Sequence, residues 1–317
     1  MQKKTIALIF GGISSEREVS LNSGKQVYHA LDKEKYDIRT YDPKTDIPRL
    51  VTDAAMIDCA LIILHGPYGE DGTVQGLLDL LDIPYQGAGV LGSAVAMNKL
   101  LSKHLYERAG LTVPPYVVVQ RGQTVDVERI VALLGLPVVV KPVETGSSVG
   151  MTIVKSDADL ATAVDNALEY GATAMIEAYI RGKEITCGVL GNQDLEALPL
   201  IEIIPGDKYE FFDYEAKYQP GATQEICPAR IDERLTRRAQ ECALTAHKAL
   251  YCQGYSRTDM ILKDDEFHVL ETNTIPGMTA TSLFPQSAQA AGISFSQLLD
   301  RLIELGIQAR RRQSTSG

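Results

Sequence analysis

The sequence predicts an α/β protein of two or three domains that begins with a parallel sheet, on three observations. At 317 residues the chain exceeds the usual span of one domain and can bury a large core. Residues 1 to about 96 alternate strand and helix signals, an order that a parallel sheet with helical crossovers satisfies. Near the other end, two strand-forming runs over 256–262 and 267–273 flank a polar turn and read as a β-hairpin.

In order, the first block (1–96) reads as a strand over 5–10, then a helix over 16–31 opened by a capping box of Ser15 with Glu18. Strands over 38–41 and 60–64 and a helix over 72–81 follow. In such sheets the working loops lie at the carboxyl ends of strands. Two glycine-rich segments stand there: Gly11-Gly12-Ile13-Ser14-Ser15-Glu16, and His65-Gly66-Pro67-Tyr68-Gly69-Glu70-Asp71-Gly72. Any one of these glycines need only make a turn. Two such segments in one sheet, carrying Glu16 and His65, point to a ligand site.

The second block (97–181) reads as a helix over 99–109, strands over 117–119, 138–141, 151–154 and 174–178, and a helix over 157–170. Between paired strands lies Glu144-Thr145-Gly146-Ser147-Ser148-Val149-Gly150, whose backbone N–H groups and hydroxyls suit phosphate oxygens. Lys141 and Lys99 stand where they can neutralise phosphate charge. Taken alone, the loop is as readily a flexible hairpin beside solvated lysines. The third block (182–317) reads as strands over 184–190 and 198–204, a polar, aromatic loop over 206–223 sized for a lid, and a helix over 232–251 before the hairpin. The arginines near the C-terminus read as the end of a helix.

The hairpin carries the chemistry. With a three-residue loop of Asp264, Asp265 and Glu266, Lys263 pairs with Phe267 and Asp259 falls opposite Glu271, with Asn273 on the same face. An even loop would send Asp259 to the other face. Two carboxylates and an amide oxygen repel without a cation, and hard oxygen ligands with no His or Cys favour Mg²⁺. Solvated acids on an edge hairpin are the plain alternative. The following turn, Thr274-Ile275-Pro276-Gly277-Met278-Thr279, offers a backbone N–H at Gly277 beside the trio and favours a nucleotide-dependent enzyme.

Composition narrows the classes. A net charge of −10 argues against nucleic acid or an anionic membrane as the main partner. Five cysteines with no CxxC pair read as free thiols in a reducing cytoplasm. The apolar run after Lys3-Lys4 is too short for a signal peptide and reads as the first strand; no stretch is long and apolar enough to span a membrane. Gly87-Ala88-Gly89-Val90-Leu91-Gly92 satisfies G-x-G-x-x-G, but lacks a buried preceding strand and an acid about twenty positions on, which disfavours a nicotinamide dehydrogenase. No G-x-x-x-x-G-K-[ST] is present.

The motifs add up. The two glycine-rich strand ends, Lys141-Pro142 with the Gly146–Gly150 loop, Asp213-Tyr214-Glu215-Ala216-Lys217-Tyr218, Arg257-Thr258-Asp259 and Glu271 through Thr279 occur in this order in one family. The chain resembles the D-alanine–D-alanine ligases over nearly its whole length. The resemblance implies an ATP-grasp fold: an N-terminal parallel-sheet domain over 1–96, a central subdomain over 97–181 and a C-terminal catalytic domain over 182–317, with ATP between the last two. It implies ligation of two D-alanines through an acylphosphate, for peptidoglycan precursors, in a cytoplasmic enzyme that is commonly a homodimer.

It also implies roles. Lys99, Lys141 and backbone around Ser147 and Ser148 would hold the phosphates, with Lys217 at the terminal one; Glu177, Tyr179, Ile180 and Glu184 would serve adenine and ribose. Asp259, Glu271 and Asn273 would bind two Mg²⁺ (or Mn²⁺). Glu16 would anchor the first D-alanine's ammonium and be linked through Ser147 and Tyr218 to the lid, with His65 in the same substrate pocket. Arg257 and the Gly277 N–H would stabilise the oxyanion, and Ser282 and Leu283 would receive the second carboxylate. Ile275 departs from the family's usual small polar residue, Thr258 from a usual aliphatic one, and Pro67-Tyr68 falls at a variable position. Besides the dipeptide ligase, the alternatives are a ligase with another second substrate and a catalytically dead nucleotide-binding member. The second should lack one of Lys141, Asp259, Glu271 or Arg257, and all four are present.

Overall fold

The structure, a computed structural model, describes residues 3–146, 149–206 and 223–315. Three sheets follow one another along the chain. In the first, β1 (Lys4–Phe10) lies between β2 (Tyr36–Tyr41) and β3 (Cys59–Ile63), all parallel, as the alternating pattern predicts. Alternation along β1 divides its side chains between two cores. Ala7 and Ile9 pack with Leu50, Leu78 and Ile62, whereas Ile6 and Leu8 pack with Leu298, Leu299, Leu302 and Ile303. The latter belong to the last helix, Phe295–Thr315, so the end of the chain completes the core of its beginning. Arg310 on that helix pairs with Asp79 and Asp82.

The helix after β1 spans Arg17–Ala30, and the expected capping box does not form. Its N-cap is Glu16, without a side-chain cap bond. The Glu16 N–H donates to Ser14 Oγ instead (3.2 Å), and Ser14 Oγ donates to the His65 carbonyl (2.7 Å). The turn is thus tied to the neighbouring loop. Gly24 allows the helix to lie close on β1: a Cβ there would sit 2.3 Å from the Phe10 ring.

The second sheet is antiparallel, with β4 (Tyr116–Gln120), β5 (Val138–Pro142), β6 (Thr152–Val154) and β7 (Thr173–Ala178) in the order β4-β7-β5-β6. The helix Asp157–Glu169 covers it with Leu160, Ala163 and Val164. The third sheet runs β11-β10-β8-β12-β13, with β9 beside β8. Its strands are β8 (Lys183–Gly191), β9 (Glu196–Ala197), β10 (Ile201–Pro205), β11 (Thr223–Ile226), β12 (Gly254–Lys263) and β13 (Glu266–Asn273). The strand expected from residue 198 begins only at Ile201, after Pro199, which has no N–H to give a ladder. The helix Glu233–Ala249 packs on this sheet through Ala239, Ala243 and Ala246.

The hairpin turn differs from expectation. Lys263 pairs with Glu266, leaving a two-residue turn of Asp264 and Asp265, both at positive φ (48° and 62°). An even turn alone would separate Asp259 from Glu271. A β-bulge between Asp259 and Met260 takes up Leu270 as an extra residue, and Asp259 still faces Glu271. On the other side of the ribbon Thr258 and Thr272 share a hydrogen bond (3.0 Å), and the Tyr106 hydroxyl donates to Thr272 (2.8 Å). That buried network uses the Thr258 hydroxyl an aliphatic residue would lack.

The G-x-G-x-x-G segment is structural. Gly89 precedes the helix Val90–Met97, and Gly92 packs on the carbonyls of Leu250 and Tyr251. All five cysteines are free thiols. Among the described residues no helix is long and apolar enough to cross a membrane.

Gly24→Ala should destabilise the protein by about 1–2 kcal/mol, overpacking against Phe10 outweighing the gain in helix propensity. Urea unfolding measures this; an unchanged midpoint would contradict the close helix–strand contact.

Candidate active site

Two clefts converge on the hairpin. The first, about 420 Å³, lies between the second and third sheets. Lys99, Lys141, Glu177, Tyr179, Ile180, Glu184, Asp259 and Glu271 line it, with Val139, Ile153, Ile203 and Leu270 as apolar walls. The second, about 480 Å³, lies between the loops of the first sheet and the turn after β13. Glu16, His65, Arg257, Asn273, Gly277, Ser282 and Leu283 line it. Lys99, Thr145, Gly146 and Glu271 belong to both, so the clefts meet at those four residues. Of the residues read from the sequence, Ser147, Ser148, Lys217 and Tyr218 lie outside the described residues, as does most of the expected lid.

Where the clefts meet, Asp259 is held from three directions. Arg257 donates to both its oxygens (2.8 and 2.7 Å), Thr186 Oγ1 donates to Oδ1 (2.6 Å) and Asn273 Nδ2 donates to Oδ2 (3.0 Å). Asp259, Glu271 and Asn273 thus share one face, with the Arg257 guanidinium as the positive charge on it. Oxygen donors on one face of a ribbon, with no sulfur or imidazole among them, fit a hard divalent cation.

The floor of the first cleft is a charge cluster. Glu177 Oε2 meets Lys141 Nζ and Glu177 Oε1 meets Lys103 Nζ, both at 2.6 Å. Burial would raise the Glu177 pKa, but the two ammonium groups outweigh it and hold the carboxyl down at about 2. Lys99 Nζ donates to the Thr145 carbonyl, tying the first turn of its helix to the Gly146 loop.

The second cleft is lined with carboxylates and one neutral imidazole. The Glu16 and Glu70 carboxyls flank Gly66: Glu70 Oε2 accepts from its N–H (2.7 Å), and Glu16 Oε2 lies 2.8 Å from where a Cβ would stand. Burial, then the Glu16 charge, pushes Glu70 up to about 8. His65 is 6% exposed and its Nε2 has no hydrogen-bond partner. Burial lowers its pKa to about 4, with Arg257 adding to the fall and a backbone bond to Ile275 opposing it. Ser282 precedes the helix Leu283–Ala290 but does not cap it; its Oγ accepts from the Thr279 N–H (3.1 Å). The first N–H groups of that helix therefore face an anion-favouring end of the cleft. Ile275 touches this cleft yet is buried among Ile9, Ile62 and Leu64.

Three residues escaped the sequence reading. Lys103, one helical turn after Lys99, looks like any surface lysine until burial is known. Glu70 is one of many acids in a glycine-rich loop. Glu202, lining the first cleft, is bound by Arg230 (3.0 Å) and Lys183 (3.4 Å), a pairing that depends on the β8–β10 register.

Family models agree with this arrangement. The D-ala D-ala ligase C-terminus model matches residues 105–304, and the D-ala D-ala ligase N-terminus model matches 5–48 and 44–88. The chain belongs to the D-alanine–D-alanine ligase family. A D-alanine–D-alanine ligase of Syntrophobacter fumaroxidans is 62% identical over 307 residues, 97% of this chain and 99% of that protein. One from Desulfotalea psychrophila is 54% identical over 309 residues, 97% and 96% of the two chains. The crystal structure of a Bacillus anthracis D-alanine–D-alanine ligase complexed with ATP superposes with a TM-score of 0.86 at 37% identity, covering 98% of this chain and 99% of that one. The VanG D-Ala:D-Ser ligase of Enterococcus faecalis gives 0.83 at 35% identity, covering 96% and 100%. The fold is that of these ATP-grasp ligases.

For this family member the imidazole of His65 should be neutral throughout the neutral range. Its folded pKa lies below the ordinary 6.5, so its contribution to stability is full above about pH 6.5 and is lost as pH falls toward 4. An NMR titration of the His65 ring should show no protonation between pH 8 and about 5.5; a midpoint near 6.5 would mean an exposed ring.

Proposed function

We propose that the chain joins two D-alanines into D-alanyl-D-alanine with ATP, through an acylphosphate, to supply peptidoglycan precursors. The observation that carries this reading is the meeting of an apolar-walled cleft that holds Lys99 and Lys141 with a carboxylate-lined one at Lys99, Thr145, Gly146 and Glu271. A terminal phosphate held at that junction lies next to a carboxylate in the second cleft.

In this reading adenine and ribose lie against Glu177, Tyr179, Ile180 and Glu184, and the phosphates against Lys99, Lys141 and the loop bearing Ser147 and Ser148, with Lys217 at the terminal phosphate. Asp259, Glu271 and Asn273 hold two Mg²⁺ (or Mn²⁺), which when bound neutralise phosphate charge. Glu16 takes the ammonium of the first D-alanine, supported by Ser147 and Tyr218. The neutral ring of His65 lies in the same cleft without adding charge against that ammonium. The first carboxylate accepts the terminal phosphoryl group and ADP leaves. The amine of the second D-alanine then attacks the acyl carbon, and phosphate leaves. Arg257 and the Gly277 N–H are placed for the oxyanion of that attack. Ser282, Leu283 and the open helix start beside them suit the second carboxylate. Residues 206–223 serve as the lid that keeps water from the acylphosphate. A cytoplasmic homodimer belongs to the same reading.

The likeness to a D-Ala:D-Ser ligase supports a second reading in which the second amino acid is D-serine. Phosphate release and product mass with D-alanine alone, then with D-serine or D-lactate added, separate the two. The dipeptide of D-alanine should remain the main product; a preference for either competitor near neutral pH would refute the first reading. Arg257→Met should lower kcat about 10²–10³-fold while leaving the KM for ATP within about threefold, because the guanidinium serves the transition state. Steady-state kinetics check this, and an intact kcat would remove Arg257 from the oxyanion.

A further inference from the structure

The ion pairs beneath the first cleft go beyond those roles. Lys103 lies fully buried (0% exposed) on the helix Lys99–Arg108, one turn beyond Lys99, and does not line either cleft. Its ammonium meets Glu177 Oε1 at 2.6 Å, and the other oxygen of that carboxylate meets Lys141 at the same distance. The Tyr116 ring lies under the Lys103 ammonium, 5.6 Å away, and the nearby Glu107 is engaged by the Tyr116 hydroxyl (3.2 Å). Burial lowers the Lys103 pKa and Glu177 opposes the fall; with Lys103 charged, two ammonium groups share one carboxylate, and Lys141 is the member that reaches the cleft. Without Lys103, Glu177 would cancel Lys141 alone, and the floor would lose its attraction for an anion. A lysine is otherwise expensive to bury, so its place here calls for such a task.

We propose that Lys103 is a positioning residue for phosphate recognition: by occupying half of the Glu177 carboxylate, it keeps the Lys141 ammonium available to the phosphates of the bound nucleotide. The inference rests on the nucleotide reading of the first cleft and deepens it. It predicts a selective defect. Lys103 acts on the phosphates through Lys141, whereas the base is held by Tyr179, Ile180, Glu184 and the apolar walls as well as by Glu177, so the phosphate end loses more.

The test compares binding of ATP, ADP and adenosine to the full-length protein by equilibrium dialysis, for wild type, Lys103→Met, Lys103→Gln and Lys103→Arg. The first two remove the charge, the glutamine keeping a polar side chain, and a thermal scan identifies folded variants. Both should weaken ATP and ADP about tenfold or more, with adenosine weakened less than about threefold and the KM for D-alanine unchanged within about twofold. Lys103→Arg, which keeps the charge, should recover most of the ATP affinity. Equal weakening of ATP and adenosine would show a purely structural residue and overturn the proposal, as would unchanged ATP binding in a folded charge-removed variant. Failure of the wild type itself to bind ATP would instead remove the nucleotide reading.

Discussion

The site depends on the register of one antiparallel pair, β12 against β13. β12 is bonded on its other edge to β8, so Asp259 is fixed from both sides: Thr186 on β8 donates to it, and Asn273 on β13 does the same. A slip of one residue would turn Glu271 and Asn273 to the face that carries Thr258 and Thr272. The hydroxyl network of Tyr106, Thr258 and Thr272 opposes such a slip, because polar groups buried there would lose their partners. The bulge at Leu270 lies within this constraint. It lets a tight turn and a functional register coexist, and its extra residue becomes a wall of the first cleft.

Both clefts carry more acids than bases among their described lining residues, so charge is arranged locally. A chain with a net charge of −10 places Lys141 at the floor of the first cleft and Lys99 where the two meet, and it gathers carboxylates around the second. The first thus offers an anion these two lysines, and the second offers an ammonium its carboxylates. The raised pKa of Glu70 comes first from burial and then from the nearby Glu16 charge, and an incoming cation relieves the second. Arg257 and Lys99 are the exceptions in the second cleft, and the two bonds of Arg257 to Asp259 hold it where the clefts approach each other.

The motifs were legible in the sequence because glycine, acid and lysine at strand ends have few structural uses in such density. Asp259 opposite Glu271 was legible too, though for an incomplete reason: the turn is one residue shorter than expected and the bulge makes up the difference. Sequence alternation cannot place a bulge, since one extra residue leaves the pattern on each side unchanged. The capping box failed because Ser14, not Ser15, found the useful partners: the Glu16 N–H beside it and the His65 carbonyl on a loop about fifty residues away. Lys103 and Glu202 were invisible for a related reason. Their importance comes from burial and from partners brought by other strands, and no local spacing records either.

The cores show why two clefts can share one junction. The core of the second sheet is built from its own strands and helices, residues such as Val138, Leu160 and Ile176. The first and third blocks share a core instead, in which Ile6 and Leu61 meet Tyr255, Phe284 and Leu298. The second cleft is therefore walled by elements with a common apolar interior, which suits a pocket that must hold two small substrates in a fixed relation. The first cleft lies between separate cores, where its walls are joined across the junction by polar contacts such as Lys99 with Thr145. A large ligand entering there need not open a packed interior. The contrast between a pocket walled by one shared core and a cleft lying between separate cores thus follows from which strands the C-terminal helices cover.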